Sequence, residues 1–178
     1  MAPIEAKVYG DVLVTLNGTQ EEGEGGVITY PDNCVVKGSI FGCNNLNGSP
    51  QKAVTVHVYK TVGYAGHTGT DPEKLDSEDK ADHSYHLAAV YGGGNLAAFC
   101  PDVKAVTDTV KTHVIIDGCG LTSIRQVYGG GNAASTPATS VTVNGTFEIE
   151  ELFGGGNGKD DIVINNAAIG EQKMIDET

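Results

Sequence analysis

The hydrophobic positions of this chain alternate with polar ones in short runs, most of them closed by a turn signal. Val14-Thr15-Leu16-Asn17-Gly18, Val54-Thr55-Val56-His57-Val58, Val114-Ile115-Ile116-Asp117-Gly118, Val141-Thr142-Val143-Asn144-Gly145 and Ile162-Val163-Ile164-Asn165-Asn166 have period 2 and are rich in β-branched residues. Such runs predict strands, and Asn-Gly or Asp-Gly after them predicts tight corners. Between them a second pattern recurs: an apolar residue, an aromatic, a run of glycines and an asparagine. It stands at Val90-Tyr91-Gly92-Gly93-Gly94-Asn95, Val127-Tyr128-Gly129-Gly130-Gly131-Asn132 and Leu152-Phe153-Gly154-Gly155-Gly156-Asn157. A degenerate copy lies at Ile40-Phe41-Gly42-Cys43-Asn44-Asn45 and a truncated one at Val8-Tyr9-Gly10-Asp11. The chain thus reads as strand, corner, strand, glycine corner, repeated, and this self-similarity decides the architecture ahead of local propensity.

The aromatic anchors at 9, 41, 91, 128 and 153 are 32, 50, 37 and 25 residues apart. The shortest interval is close to the least that one turn of a parallel solenoid needs, so the longer ones predict insertions, near 19–26, 63–84 and 95–109. Insertions in a repeat project from one face and often form its binding surface. The predicted fold is all-β, a single-domain parallel β-helix (β-solenoid) of right-handed sense spanning 1–178. The competing fold is an antiparallel sandwich with hairpins at the Asn-Gly corners, but glycine runs at equal phase fit coils better. The chain begins within a repeat and finishes soon after one, which reads as a segment of a longer array, with Ala167 to Ile175 a short capping helix.

The glycine corners carry their own chemistry. Glycine tolerates positive φ and lets backbones approach closely, so stacked copies can turn in register. An asparagine amide both donates and accepts, so Asn95, Asn132 and Asn157 at equivalent corners would form a ladder, and Tyr91, Tyr128 and Phe153 a stacked column. A phosphate cradle is set aside, because no Lys-Ser/Thr follows any glycine run and no helix pattern opens there.

Composition narrows the class. With 25 Gly, no Trp and 39% hydrophobic residues in 178, the chain has apolar material for one long narrow core. Its net charge of −12, from 23 acidic against 11 basic residues, and its lone arginine, Arg125, argue against a nucleic-acid or anionic-membrane surface. No stretch reaches the apolar length of a membrane helix, and Met1-Ala2-Pro3-Ile4-Glu5 lacks the features of a signal peptide. Cys34, Cys43, Cys100 and Cys119 contain no C-x-x-C pair, which disfavours a zinc site, and free thiols and disulfides both remain open.

Other candidate chemistry is local. Gly155-Gly156-Asn157-Gly158-Lys159-Asp160-Asp161-Ile162-Val163 fits the calcium nonapeptide G-G-x-G-x-D-x-U-x. One copy supplies half a site, and the earlier runs lack its fourth glycine and aspartate, so no metal site and no cofactor is expected. His67, His83 and His86 lie in or beside the long insertion with Tyr64 and Tyr85, and these five residues make the candidate partner-binding loop. A short helix is predicted there over 73–80, after Asp71-Pro72. No catalytic residue stands out: Asp160 and Asp161 are adjacent, so on a strand they would point to opposite faces and could not act on one bond.

Repeated Val-Tyr-Gly-Gly-Gly-Asn units separated by Val-Thr-Val-Asn-Gly strands resemble those of large surface or secreted β-solenoid repeat proteins of Bacteroides-type gut bacteria. The resemblance covers Val8 to about Asn166 and implies an extracellular or cell-surface location and a structural or adhesive role. The expected function is a non-enzymatic scaffold or adhesin segment that binds a protein or glycan through its insertions, with end-to-end self-association as a further partner mode. The alternative is a carbohydrate-active β-helix enzyme, similar to polysaccharide lyases or glycoside hydrolases, or a fragment of one.

Overall fold

The computed structural model of the protein describes residues 5–22, 24–26, 28–32, 36–61, 85–102, 110–118 and 122–158. Ten strands run through them: β1 Val12–Leu16, β2 Thr19–Glu22, β3 Ile28–Asp32, β4 Val36–Phe41, β5 Val54–Val58, β6 Leu87–Tyr91, β7 Thr112–Asp117, β8 Ser123–Tyr128, β9 Thr139–Gly145 and β10 Glu148–Phe153. A 3-10 turn at Glu24–Gly26 is the one helical element among the described residues. The alternating runs around Val14, Val54, Val114 and Val141 are β1, β5, β7 and β9. The strand expected at 162–166, the helices expected at 73–80 and 167–175, and the 63–84 insertion lie outside the described residues.

β1, β5, β7 and β9 form one four-stranded sheet in that order, and β4, β6, β8 and β10 form a second. Every pairing in both sheets is parallel. A strand of the first sheet leads to one of the second, and the next strand of the first sheet lies one step further along: a solenoid-like arrangement of four two-strand units. The antiparallel sandwich does not form, because the Asn144-Gly145 corner joins β9 to β10, which lie in different sheets. Among the described residues the one antiparallel pair is the β2–β3 hairpin, and it extends the first insertion from the expected 19–26 out to Asp32.

Register places like beside like. Val14, Val56, Val114 and Val141 form one column, and Leu16, Val58, Ile116 and Val143 another. Alternation turns these columns inward. Val56, Val58, Val114 and Ile116 meet Leu87, Val90, Ile124 and Val127 of the second sheet in the core, each at most 1% exposed. Removing such a side chain from water contributes roughly 1.5–3 kcal/mol. In the second sheet the core residues are three apart, Leu87 with Val90 and Ile124 with Val127, because the ladder passes over Ala88, Arg125 and Glu150. That irregularity breaks period 2 in mid-strand.

The last unit is more open than those inside. Val143, Leu152 and Phe153 are 40%, 52% and 44% exposed, whereas their column neighbours Ile116, Val127 and Tyr128 are 0%, 0% and 4% exposed.

Candidate functional site

Each strand of the second sheet ends on an aromatic residue and runs straight into a glycine corner. Phe41, Tyr91, Tyr128 and Phe153 stack face to face, with ring centroids 4.8, 4.8 and 5.0 Å apart and planes within 9° of parallel. The spacing is that of neighbouring strands, so in-register pairing dictates it. With Ala89, the rings of Phe41, Tyr91 and Tyr128 form a hydrophobic cluster apart from the core. Burial raises the pKa of both tyrosines, helped by the neighbouring Tyr128 at Tyr91 and by Glu151 at Tyr128. Tyr9 does not join the column: Val8 bridges Pro50, so Tyr9 falls in the corner before β1, opposite Gln51, and is 71% exposed.

Four residues beyond each ring stands an asparagine. The Asn95 amide Nδ2 donates to Asn45 Oδ1 at 2.8 Å, that of Asn132 to Asn95 Oδ1 at 2.9 Å, and that of Asn157 to Asn132 Oδ1 at 2.8 Å. The ladder points one way, each later unit donating to the earlier. Asn44, which occupies the third glycine place of the first corner, donates instead to the carbonyls of Ala6 at 2.8 Å and Asn47 at 3.0 Å. It thereby ties the residues before β1 beneath that corner.

The corner glycines serve close approach rather than unusual torsion. Among the described residues positive φ occurs at Gly25, Gly48 and Gly158, none of them in the first three positions of a corner. A Cβ on Gly129 would strike the carbonyl oxygen of Gly154 in the next unit, and one on Gly130 would lie 2.9 Å from Gly156 N. The backbones are drawn together by bonds such as Gly129 N–H to the Phe153 carbonyl and Gly130 N–H to the Gly155 carbonyl, both 2.9 Å. Two threonines add to this. Thr112 Oγ1 donates to the Gly129 carbonyl at 2.7 Å, and Thr139 Oγ1 to the Gly154 carbonyl at 2.6 Å. Cys43 fills the second glycine place of the first corner, its Sγ 3.6 Å from the Gly92 carbonyl, and burial pushes its thiol pKa up to about 12. A thiol so held stays protonated and is a poor nucleophile. Of the four cysteines, Cys43 and Cys100 are free, and Cys34 and Cys119 lie outside the described residues.

Beyond the ladder the chain continues along a common path in successive units. Leu96 N–H donates to the Asn45 carbonyl, Phe99 N–H to the Ser135 carbonyl and Cys100 N–H to Ser49 Oγ, so 95–102 follows 45–51 and 132–135. These segments line a cleft of about 620 Å³. Leu46 and Leu96, 67% and 51% exposed, give it apolar flank, and the Lys7–Asp102 ion pair at 3.0 Å closes one side. A second surface is the outer face of the first sheet. There His57 stacks on Tyr59 with ring centroids 3.7 Å apart and places Nε2 3.8 Å from Asp117 Oδ2.

Of the candidate partner-binding loop, Tyr64, His67 and His83 lie outside the described residues. Tyr85 and His86 lead into β6. His86 Nδ1 is 3.0 Å from Thr61 Oγ1, and Tyr85 has its phenol pKa raised by burial and by Glu150 and Glu148. Lys159 to Val163 of the calcium-type motif are also outside. Among the described residues no three His, Cys, Asp or Glu side chains are grouped to hold a metal ion, and no helix is long and apolar enough to cross a membrane. No protein-family model, curated protein or solved structure matches the chain.

The site that this geometry builds is a spine: an aromatic column, a glycine corner and an amide ladder running the length of the second sheet. Its chemistry is cohesion between units.

Proposed function

We propose that the chain is a segment of a right-handed parallel β-solenoid that works as a non-enzymatic scaffold or adhesin at the cell surface or outside the cell, engaging a protein or glycan through its insertions. One observation carries this reading. The residues that make the sequence distinctive, Phe41, Tyr91, Tyr128 and Phe153 with their glycines and asparagines, are taken up by contacts between units. Ligand recognition is thereby left to the segments between units and to the cleft beside Leu46 and Leu96. The resemblance to surface and secreted Val-Tyr-Gly-Gly-Gly-Asn repeat proteins supports the location. The carboxylates of β10 fit a cohesive role too: Glu148 accepts from Ser123 Oγ at 2.6 Å, Glu150 pairs with Arg125 at 3.0 Å, and Glu151 accepts from Gln126 Nε2 at 2.6 Å.

The test is a screen of the full chain against immobilised polysaccharides and extracellular proteins. Saturable binding without turnover is expected, lost when 63–84 is replaced by a short Gly-Ser linker that leaves the melting temperature in place. Depolymerisation of any bound polysaccharide would overturn the reading in favour of a carbohydrate-active enzyme.

A further inference from the structure

Each unit of this protein is both a lock and a key for the next. Inside the stack, the N–H of the first corner glycine donates to the aromatic carbonyl of the following unit: Gly42 to Tyr91, Gly92 to Tyr128 and Gly129 to Phe153, all at 2.9 Å. The N–H of the second corner residue does the same, Cys43 to Gly93 at 3.2 Å, Gly93 to Gly130 at 2.9 Å and Gly130 to Gly155 at 2.9 Å. In the fourth unit the series stops. Among the described residues nothing accepts from Gly154 N or Gly155 N, and nothing lies within 4 Å of a Cβ built on either glycine, although both are glycines like their buried counterparts. At the opposite end, Asn45 Nδ2 has no acceptor among the described residues, while Asn157 Oδ1 has no donor from a further ladder amide.

We infer that a second copy of this chain stacks head to tail on the β9–β10 end, its β1 and β4 continuing the two sheets. In the register that the internal units keep, Val141 meets Val14, Val143 meets Leu16, Leu152 meets Ile40, Phe153 meets Phe41 and Asn157 meets Asn45, apolar against apolar in the first four columns and donor against acceptor in the fifth. The backbone donors Gly154 N and Gly155 N then face the carbonyls of Phe41 and Cys43. The new contact continues the interface that already joins units three and four. Being heterologous, it does not close, and it yields a series of lengths rather than a dimer. Stacking depends only on the two parallel sheets, so it stands or falls apart from the scaffold role.

Sedimentation velocity of the full chain over a range of concentrations, with thermal melts of the same samples, tests this. Expected is a reversible dimer, trimer and longer series. Gly154→Val should move its midpoint to a concentration about tenfold higher or more, because the new side chain meets the Gly42 carbonyl of the incoming copy, while the dilute monomer melts as before. Leu152→Lys, on the same end, should act in the same direction. A wild-type chain that stays monomeric, a dimer that grows no further, or a Gly154→Val chain that associates like wild type would each overturn the proposal. So would a Gly154→Val monomer that melts at markedly lower temperature with association unchanged, since the face is then covered within the same chain.

Discussion

Asn132 Nδ2 donates to Asn95 Oδ1 at 2.9 Å, across 37 residues of chain. The two amides meet because Tyr91 and Tyr128 pair in register on β6 and β8, and both corners then take the same path. Each interior asparagine both gives and receives, which an ionised carboxylate or an apolar side chain could not do.

Replacing Asn132 with Ala should therefore leave Asn95 Oδ1 and Asn157 Nδ2 unpaired at once. The expected loss is about 1–2 kcal/mol in urea unfolding, against about 0.5–1 kcal/mol for Asn157→Ala at the end of the ladder. Equal losses at the two sites would mean that the ladder is not a connected element.

Gly129→Ala sets a Cβ against the Gly154 carbonyl, and Gly154→Ala sets one in open space. The first should lose roughly 1–3 kcal/mol of stability and the second much less. The pair is read from the denaturant midpoints of dilute protein, and the ordering is the result that matters.

Thr112→Val keeps the shape of a side chain whose place in the first sheet Val54 holds one unit earlier. What it removes is the bond to the Gly129 carbonyl at 2.7 Å. A loss of about 1 kcal/mol is expected by thermal or chemical unfolding.

His113 responds to pH. Burial, then nearby Lys111, lowers its pKa from the ordinary 6.5, so the folded protein favours the neutral ring. A depressed folded-state value means that the unfolded chain takes up the proton first as pH falls. Stability present above 6.5 should thus decline on acidification through the lower, folded value. His113→Gln should melt with a smaller difference between pH 7.5 and 5.5 than wild type.

Calcium titration of the metal-free protein should show no high-affinity event, and millimolar calcium should barely move the melting temperature. A ligand at a hundred times its dissociation constant would stabilise by about 2.7 kcal/mol, a shift easily seen. A large shift abolished by Asp160→Ala is the contrary result.

The parts of this fold legible in the sequence are those where one residue type recurs at one phase. Tyr91, Tyr128 and Phe153 with their asparagines announce a column and a ladder because parallel register sets identical residues side by side. Tyr9 misleads for the converse reason: a Tyr-Gly pair looks like an anchor, but no asparagine follows at the right distance, and the bridge from Val8 to Pro50 puts it in another corner. Alternation shows β5 and β7, whereas β6 and β8 break period 2 around Ala88 and Arg125 and hide their core residues. Thr112, Thr122 and Thr139 escape notice altogether. A threonine in a strand is unremarkable until the carbonyl that it binds is known, and for Thr122 that carbonyl belongs to Tyr59, at 2.6 Å and 63 residues away. The glycines are legible as corners and as places where stacked backbones approach closely; which carbonyl each one meets is set by a neighbour that no single repeat contains.

The strands of both sheets lie across the direction in which units succeed one another, so the bonds that join units run along it. Tension applied between the two ends of the stack loads those bonds in series. The load on each unit boundary is then the same, and the weakest one yields first. Such a molecule pays out length one unit at a time, at a force set by a single boundary rather than by the number of units, and regains it as each ring and amide finds its neighbour again.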